Sequence, residues 1–352
     1  MKKKPAPGRG KKNYSSGSPQ LDRKIMSLMD GGKFHNSDLL SEMLQTCFKV
    51  TEENPDRGDV RLLNTTLKEL RYAFKVFQPY RNIRKAAVFG SARTPRTSPD
   101  YKQARDFARE MVKHKWMVIT GASSGIMHAG NEGAGRENSF GVNIRLPFEQ
   151  SANPVIAEDE KLINFKYFFT RKLIFIRESD ATVLCPGGFG THDEGFETMT
   201  LVQTGKSTPR PIICLDPPGS RYWSSWKRWL MEHLGKRGMI DMDDINLIDF
   251  THSAEEAARI ITDFYRNYHS MRYIRDLLVM RVRRPLPGRK LDQVNQRYKA
   301  ILKHGTIQQH ENPFEEETNE PHDTQSLTRI SFYFNRRHFA RLKMLIGEIN
   351  EY

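Results

Sequence analysis

Two stretches of the 352-residue chain carry residue types that could do chemistry. The first is PGGFGTHDE, Pro186 to Glu194, directly after the apolar run ATVLC. Gly187, Gly188 and Gly190 let backbone N–H groups approach an anion without interference from a Cβ. Thr191 stands at the expected start of a helix, where its hydroxyl can cap the helix or bond a phosphate oxygen. A helix N-terminus adds partial positive charge, so phosphate is the natural occupant of such a loop. Glu194 follows in the expected first turn, with Glu197 at i+3 on the same face. Carboxylates there either complement the helix dipole or face a bound phosphosugar. In the second case Glu194 would oppose the positive charge that builds on a ribose as its base departs, or activate the attacking water. Glu197 would then bond ribose hydroxyls.

The second stretch is FFTRKLIF, where Arg171 and Lys172 lie on a helical run upstream of the loop. Arg171 reads either as a helix arginine in a surface salt bridge or as a cation aimed at the loop's ligand. Two more turns supply small residues: Gly90-Ser91-Ala92, and Thr120–Ala134 (TGASSGIMHAGNEGA) with Gly121, Ser124, Gly125 and Met127. His128 and His192 flank these loops, but neither has a second ligand at metal spacing. Cys47, Cys185 and Cys214 are far apart, and the last two fall in strand-like runs. Such thiols act as small buried hydrophobes, and a reduced, cytoplasmic setting is expected.

The elements that must hold these residues alternate. Strands are expected at Ala86–Gly90, Trp116–Thr120, Phe140–Arg145, Ala181–Cys185, Pro211–Leu215 and Asn246–Phe250. Helices are expected at Asp100–His114, after Gly125 through Ala134, and at Phe165–Arg177, Thr191–Gln203, Tyr222–Leu234 and Ala254–His269. Short apolar strands alternating with helices imply a doubly wound, Rossmann-like α/β fold, with a parallel sheet covered on both faces. Ligands of such sheets bind at the carboxyl ends of the strands, where every glycine-rich turn named here falls.

The expected organisation has four parts. Residues 1–33, rich in Lys, Gly, Ser and Pro, read as a disordered basic tail. Residues 34–84 read as a helical extension with an apolar stripe at Leu62, Leu63, Leu67, Leu70, Phe74 and Phe77. Residues 85–270 form the nucleotide-binding domain. Residues 271–352 form a small α+β appendage with a strand at Leu277–Val282, a helix at Leu291–Leu302, an acidic loop at Glu311–Asp323, a strand at Ile330–Phe334 and a final helix at Arg336–Ile349.

PGGFGTHDE, with Arg171-Lys172 before it, resembles the PGGxGTxxE signature and the preceding Arg-Lys pair of the Lonely Guy (LOG) family, often labelled lysine decarboxylase. The GSA turn and the Thr120–Ala134 loop look like that family's first two nucleotide-facing loops. The likeness spans roughly Ala86 to His269, and the long second loop is closer to the larger bacterial nucleotide nucleosidases. The short members usually carry a glycine triplet where this chain has Gly121-Ala122-Ser123, so the resemblance does not name the base. It implies a phosphoribohydrolase, cleaving a nucleoside 5′-monophosphate to free base and ribose 5-phosphate without metal or redox cofactor. AMP or an N6-modified AMP is the first expectation. By that likeness Arg171 and Glu194 are catalytic. Gly187, Gly188, Gly190 and Thr191 hold the phosphate. Gly90, Ser91, Gly121, Ser124, Gly125, Met127, Lys172 and Glu197 complete the substrate site. A homodimer or higher homo-oligomer is expected.

The net charge of +14 raises the possibility of nucleic acid, but much of it sits in the tail and in Arg281–Arg284 and Arg336–Arg341, and a solvated basic surface that attracts small anions explains it. Nucleic acid is therefore not the expected partner. No apolar run reaches the roughly 18–20 residues needed to span a bilayer, so no membrane is expected. A NAD-type enzyme is disfavoured because no GxGxxG opens a helix after the first strand. The alternative that stays open is a non-catalytic nucleotide or molybdenum-cofactor carrier on the same fold, which release of ribose 5-phosphate would discriminate.

Overall fold

The computed structural model describes residues 15–30, 36–145, 151–317 and 322–352. The chain forms two compact units, Met1–Lys68 and Glu69–Tyr352. The division falls inside one helix, α3 (Arg57–Phe77), rather than at residue 84, where the composition changes.

In the first unit α1 (Pro19–Asp30) and α2 (Ser37–Glu52) pair, and Gln45 Nε2 donates to Asp22 Oδ1 at 3.2 Å. Helix α1 lies where a disordered tail was expected. Its Leu21, Ile25 and Leu28 recur at helical spacing and Ile25 is buried, a pattern masked by the Lys/Gly/Pro composition around it. The rest of that expected tail, residues 1–14 and 31–33, lies outside the described residues. The apolar stripe of α3 splits at the division. Leu62, Leu63 and Leu67 are exposed, whereas Leu70, Phe74 and Phe77 pack into the core of the second unit.

The second unit is built on a seven-stranded sheet in the order β4-β3-β2-β1-β5-β6-β7, with every adjacent pair parallel. These strands are β1 (Lys85–Phe89), β2 (Met117–Thr120), β3 (Ser139–Ile144), β4 (Leu162–Phe165), β5 (Ala181–Leu184), β6 (Ile212–Leu215) and β7 (Asp249–Thr251). Helices α4 (Pro99–Lys113), α5 (Ile126–Ala134), α6 (Phe168–Glu178), α7 (Phe189–Gln203), α8 (Tyr222–Trp229) and α9 (Ala254–Phe264) connect them. Ala86 and Val88 of β1 point into a core with α4, α5 and α9, while Ala87 and Phe89 point into the opposite core with α3, α6 and α7. Burial on both faces explains why these strands read as continuous apolar runs. Local signals set the helix starts: Ser98 Oγ accepts from Asp100 N at 3.2 Å, with Pro99 at the first helical position. This is the doubly wound, Rossmann-like fold that the alternation predicts.

The remaining strands form a second sheet, β8 (Tyr268–Ile274), β9 (Leu277–Val282), β10 (Leu302–His310) and β11 (Thr328–Phe334), in the order β10-β11-β9-β8. All its pairs are antiparallel, and α10 (Gly288–Arg297) and α12 (Phe339–Ile349) share its core. That connectivity is a βαββαβ sandwich whose ends have been joined and whose chain has been reopened after the first helix. A short helix, α11 (His322–Gln325), precedes β11.

Several boundaries differ from the sequence reading. α9 stops at Phe264 and Tyr268 already begins β8, so the helix expected over Ala254–His269 is helical only as far as Phe264 and ends as strand. The expected helix Leu291–Leu302 ends at Arg297, and the expected Arg336 start moves to Phe339 because Arg336 sits at φ +59°. The helix from Tyr222 becomes a π-turn at Leu230–Gly235, and the strand expected at Asn246–Phe250 is a 3₁₀ turn followed by β7. Of the acidic loop, residues 318–321 lie outside the described residues.

Candidate functional site

In the order β4-β3-β2-β1-β5-β6-β7, the winding reverses between β1 and β5. A crevice must open there, because the connections leaving the two strands run in opposite directions. The turn after β1 carries Gly90 and Ser91, and the turn after β5 carries Gly187 and Gly188. A cavity of about 780 Å³ occupies the crevice, lined among others by Ser91, Met127, Arg171, Gly188, Thr191 and Glu194.

The loops around it are tied together. Ser91 N donates to Pro186 O at 3.1 Å, Ser124 Oγ donates to Ala92 O at 2.8 Å, and Ile126 N donates to Ser91 O at 3.0 Å. Gly125 makes this packing possible: its φ is +61°, and a Cβ there would stand 2.2 Å from Ser91 O. Thus Ser124 and Gly125 buttress the wall and do not line the cavity. Gly121 acts similarly, since a Cβ would fall 2.6 Å from Arg171 Nη2 and from Met127 Sδ. Its missing side chain is the space the guanidinium occupies.

Helix α7 begins at Phe189, two residues earlier than expected, with Gly188 as its N-cap residue. Gly190 and Thr191 therefore belong to the first turn, whose N–H groups lack i−4 partners by construction. Thr191 N returns to Gly188 O at 3.0 Å. A Cβ on Gly187 would collide with Thr191 Oγ1 at 2.0 Å, whereas Gly188 and Gly190 face open space. Glu194 moves to the second turn and is 5% exposed. It is a buried carboxylate, not a surface residue complementing the dipole.

Two cations flank it without hydrogen bonding to it. Arg171 Nη1 lies 3.9 Å from Glu194 Oε1 and Lys172 Nζ lies 3.6 Å from Oε2, an oxygen with no hydrogen-bond partner among the described residues. Burial pushes the Glu194 carboxyl above its ordinary range; Lys172 and Arg171 pull it down, and Glu197 and Asp193 add to the rise. Burial likewise pushes the Arg171 guanidinium below its ordinary value, and Glu194 opposes that. The guanidinium is held by Nε donating to Val142 O at 2.9 Å and lies 5.1 Å from the Phe175 ring centroid.

Lys172 is committed elsewhere. It reaches Glu197 at 2.7 Å and Asp193 at 3.0 Å as well as Glu194. Burial alone would lower its pKa, but the bonds to Glu197 and Asp193 raise it overall, so it stays charged. Lys172 and Glu197, both expected to touch substrate, are outside the cavity lining and partner each other.

The lining also contains Ala92 of the GSA turn and His192 beside the glycine loop, together with Phe89, Arg93, Phe168, Phe189 and Asp193, to which the sequence assigns no place in the site. Phe168 lies three residues before Arg171 on one helix face, a signal that was available. Tyr222 was not visible at all: its Oη donates to Gly187 O, fastening the glycine loop from below. Tyr222 Oη is then the acceptor for His192 Nε2 at 2.8 Å, which places the His192 proton on Nε2. Burial lowers the His192 pKa, in keeping with a neutral ring. His128 stacks edge-on against Tyr101 with centroids 5.9 Å apart, outside the cavity lining.

A family model described as "Possible lysine decarboxylase" matches residues 120–261, which include Arg171, the glycine loop and Glu194. No curated protein gives a significant match. Among solved structures, the chain is similar to the molybdenum cofactor binding protein from Rippkaea orientalis (20% identity over 51% of this chain and 94% of that one, TM-score 0.35). It is also similar to the molybdenum cofactor carrier protein from Chlamydomonas reinhardtii (17% identity, 51% and 96%, TM-score 0.37). A third is DNA processing protein A from Streptococcus pneumoniae (12% identity, 67% and 86%, TM-score 0.36). Among the described residues no helix is long and apolar enough to cross a membrane.

Proposed function

We propose that this chain hydrolyses the N-glycosidic bond of a nucleoside 5′-monophosphate, releasing the free base and ribose 5-phosphate. The observation that carries the reading is Glu194, a buried carboxylate beside the Arg171 guanidinium on the wall of the same cavity as the glycine loop. The phosphate would sit on Gly188, Gly190 and the first turn of α7, where N–H groups and the helix dipole favour an anion. The ribose would then lie toward Glu194. As the C1′–N bond breaks, its electron pair leaves with the base and positive charge develops on the sugar. Glu194 opposes that charge or takes a proton from the water whose oxygen bonds C1′; that proton ends on the departing base. Arg171 orients the phosphoribose. Burial strengthens each of these interactions relative to water.

Decarboxylation of lysine fits less well. No lysine lines the cavity among the described residues, and Lys172 behind it is paired with three carboxylates. Glu194→Gln tests the reading. The amide keeps the size and removes the charge, so AMP binding should persist while kcat falls by about 10²-fold or more. Equal turnover in the variant would remove Glu194 from the reaction. Binding without any turnover in the wild-type chain would favour a carrier.

A further inference from the structure

A second cavity, of about 540 Å³, lies at the opposite end of the parallel sheet, where β1, β5 and β6 begin and the antiparallel sheet joins them. That volume is in the range of sites for small ligands. Its walls hold Arg81 and Arg84 just before β1, Asp180 before β5, His269 and Ser270 of β8, and Arg283 after β9. Three arginines thus share the lining with one carboxylate, and that carboxylate is already used: Asp180 Oδ1 meets Arg84 Nη1 at 2.8 Å and Asp180 Oδ2 accepts from Lys85 N at 3.0 Å.

Arg84 is locked in place. Its Nη2 donates to His269 O at 3.1 Å, and its guanidinium carbon sits 3.7 Å from the Tyr265 ring centroid. The Tyr265 hydroxyl in turn donates to Asp180 O at 2.7 Å. Arg283 is the contrast. It makes no side-chain hydrogen bond or ion pair among the described residues, and its pKa is lowered, by burial first and then by Arg84. Arg84 and Arg283 line the same cavity and Arg283 has no carboxylate of its own among the described residues, so an anion placed between them would meet charge-assisted donors from both.

We propose that this cavity binds a small polyanion of the phosphate or pyrophosphate class, bridged between Arg84 and Arg283, with Arg81 and Ser270 at its edge. The site is separate from the glycine loop and holds whether or not the chain is a hydrolase. It would link the antiparallel sheet to the base of the parallel one.

The test is calorimetric titration of the full chain with inorganic pyrophosphate, comparing wild type, Arg283→Ala and Arg171→Gln. Arg283 is exposed and unpaired, so its removal leaves the fold intact, which a thermal melt checks. The expected result is a binding event that Arg283→Ala weakens about tenfold or more, the scale of one lost charge-assisted contact, and that Arg171→Gln preserves. A binding event lost only in Arg171→Gln belongs to the glycine loop and overturns the proposal. So does millimolar pyrophosphate that binds nowhere, or binds Arg283→Ala and wild type alike.

Discussion

Ionising Glu194 carries a cost, and that cost has a sign. Burial raises its folded pKa above the unfolded value, so its contribution to stability is present below the ordinary carboxylate range and is lost as pH rises through the folded value. Glu194→Gln escapes that loss. Its melting temperature at neutral pH should equal or exceed wild type even as turnover falls, and a clear drop would mean that the charge supports the fold. The same logic sets the pH profile. If ionised Glu194 is required, the acid limb of kcat/KM lies above the usual glutamate range. Lys172→Met removes one of the two cations holding that pKa down, so the limb should move to higher pH. An unmoved limb would assign it to another group. At this scale the sequence was informative where the chemistry is contiguous, as in Pro186–Glu194. It was silent on Tyr222, which anchors the glycine loop from 35 residues along the chain, and on the burial of Glu194 beside Arg171 and Lys172 of α6. It also could not show that Lys172 and Glu197 would pair with each other.

Among the elements, the glycines separate into two kinds that a motif does not distinguish. Gly125 carries φ +61° and would strike the Ser91 carbonyl with any Cβ. Gly125→Ala should therefore cost about 1–3 kcal/mol in backbone strain before the clash is added, visible as a lowered melting temperature. Gly188 meets nothing within 4 Å. Gly188→Ala should melt like wild type and weaken AMP binding by crowding the phosphate approach; a destabilised Gly188→Ala would contradict this division. Strands β1, β2, β3, β5 and β6 are legible because a covered sheet demands apolar runs, whereas β4 and β7, at the two edges, are only partly buried and carry a weaker signal. β8 and β10 were missed for the opposite reason. Each is an edge strand, and the nine residues of β10 expose most of their side chains, so neither shows the apolar alternation of a half-buried strand.

For the whole molecule, the homodimer expected from the resemblance remains a proposal. Leu63 and Leu67 of the first unit are 52% and 45% exposed, and so are Phe168, Phe169 and Leu173 of α6 beside the cavity at 48–52%. Fully covering such side chains is worth roughly 1.5–3 kcal/mol each. Light scattering should report at least twice the 40.9 kDa chain mass at micromolar concentration, and a monomer would defeat the expectation. Removing residues 1–68 distinguishes the two surfaces: a dimer that survives is held by the second unit. The fold class and the winding reversal were accessible from the order of strands and helices. The unit boundary was not, because it falls inside a continuous helix whose composition does not change at Lys68.

The central claim is a bond cleavage, and the products test it directly. AMP, GMP, CMP and UMP are each incubated with the purified chain, and free base and ribose 5-phosphate are quantified, with adenosine alongside as the substrate lacking phosphate. At least one monophosphate should yield base and ribose 5-phosphate in equal amounts, and adenosine should be far poorer because binding energy at the 5′-phosphate positions the ribose. No cleavage of any monophosphate, or equal efficiency on AMP and adenosine, would contradict the account.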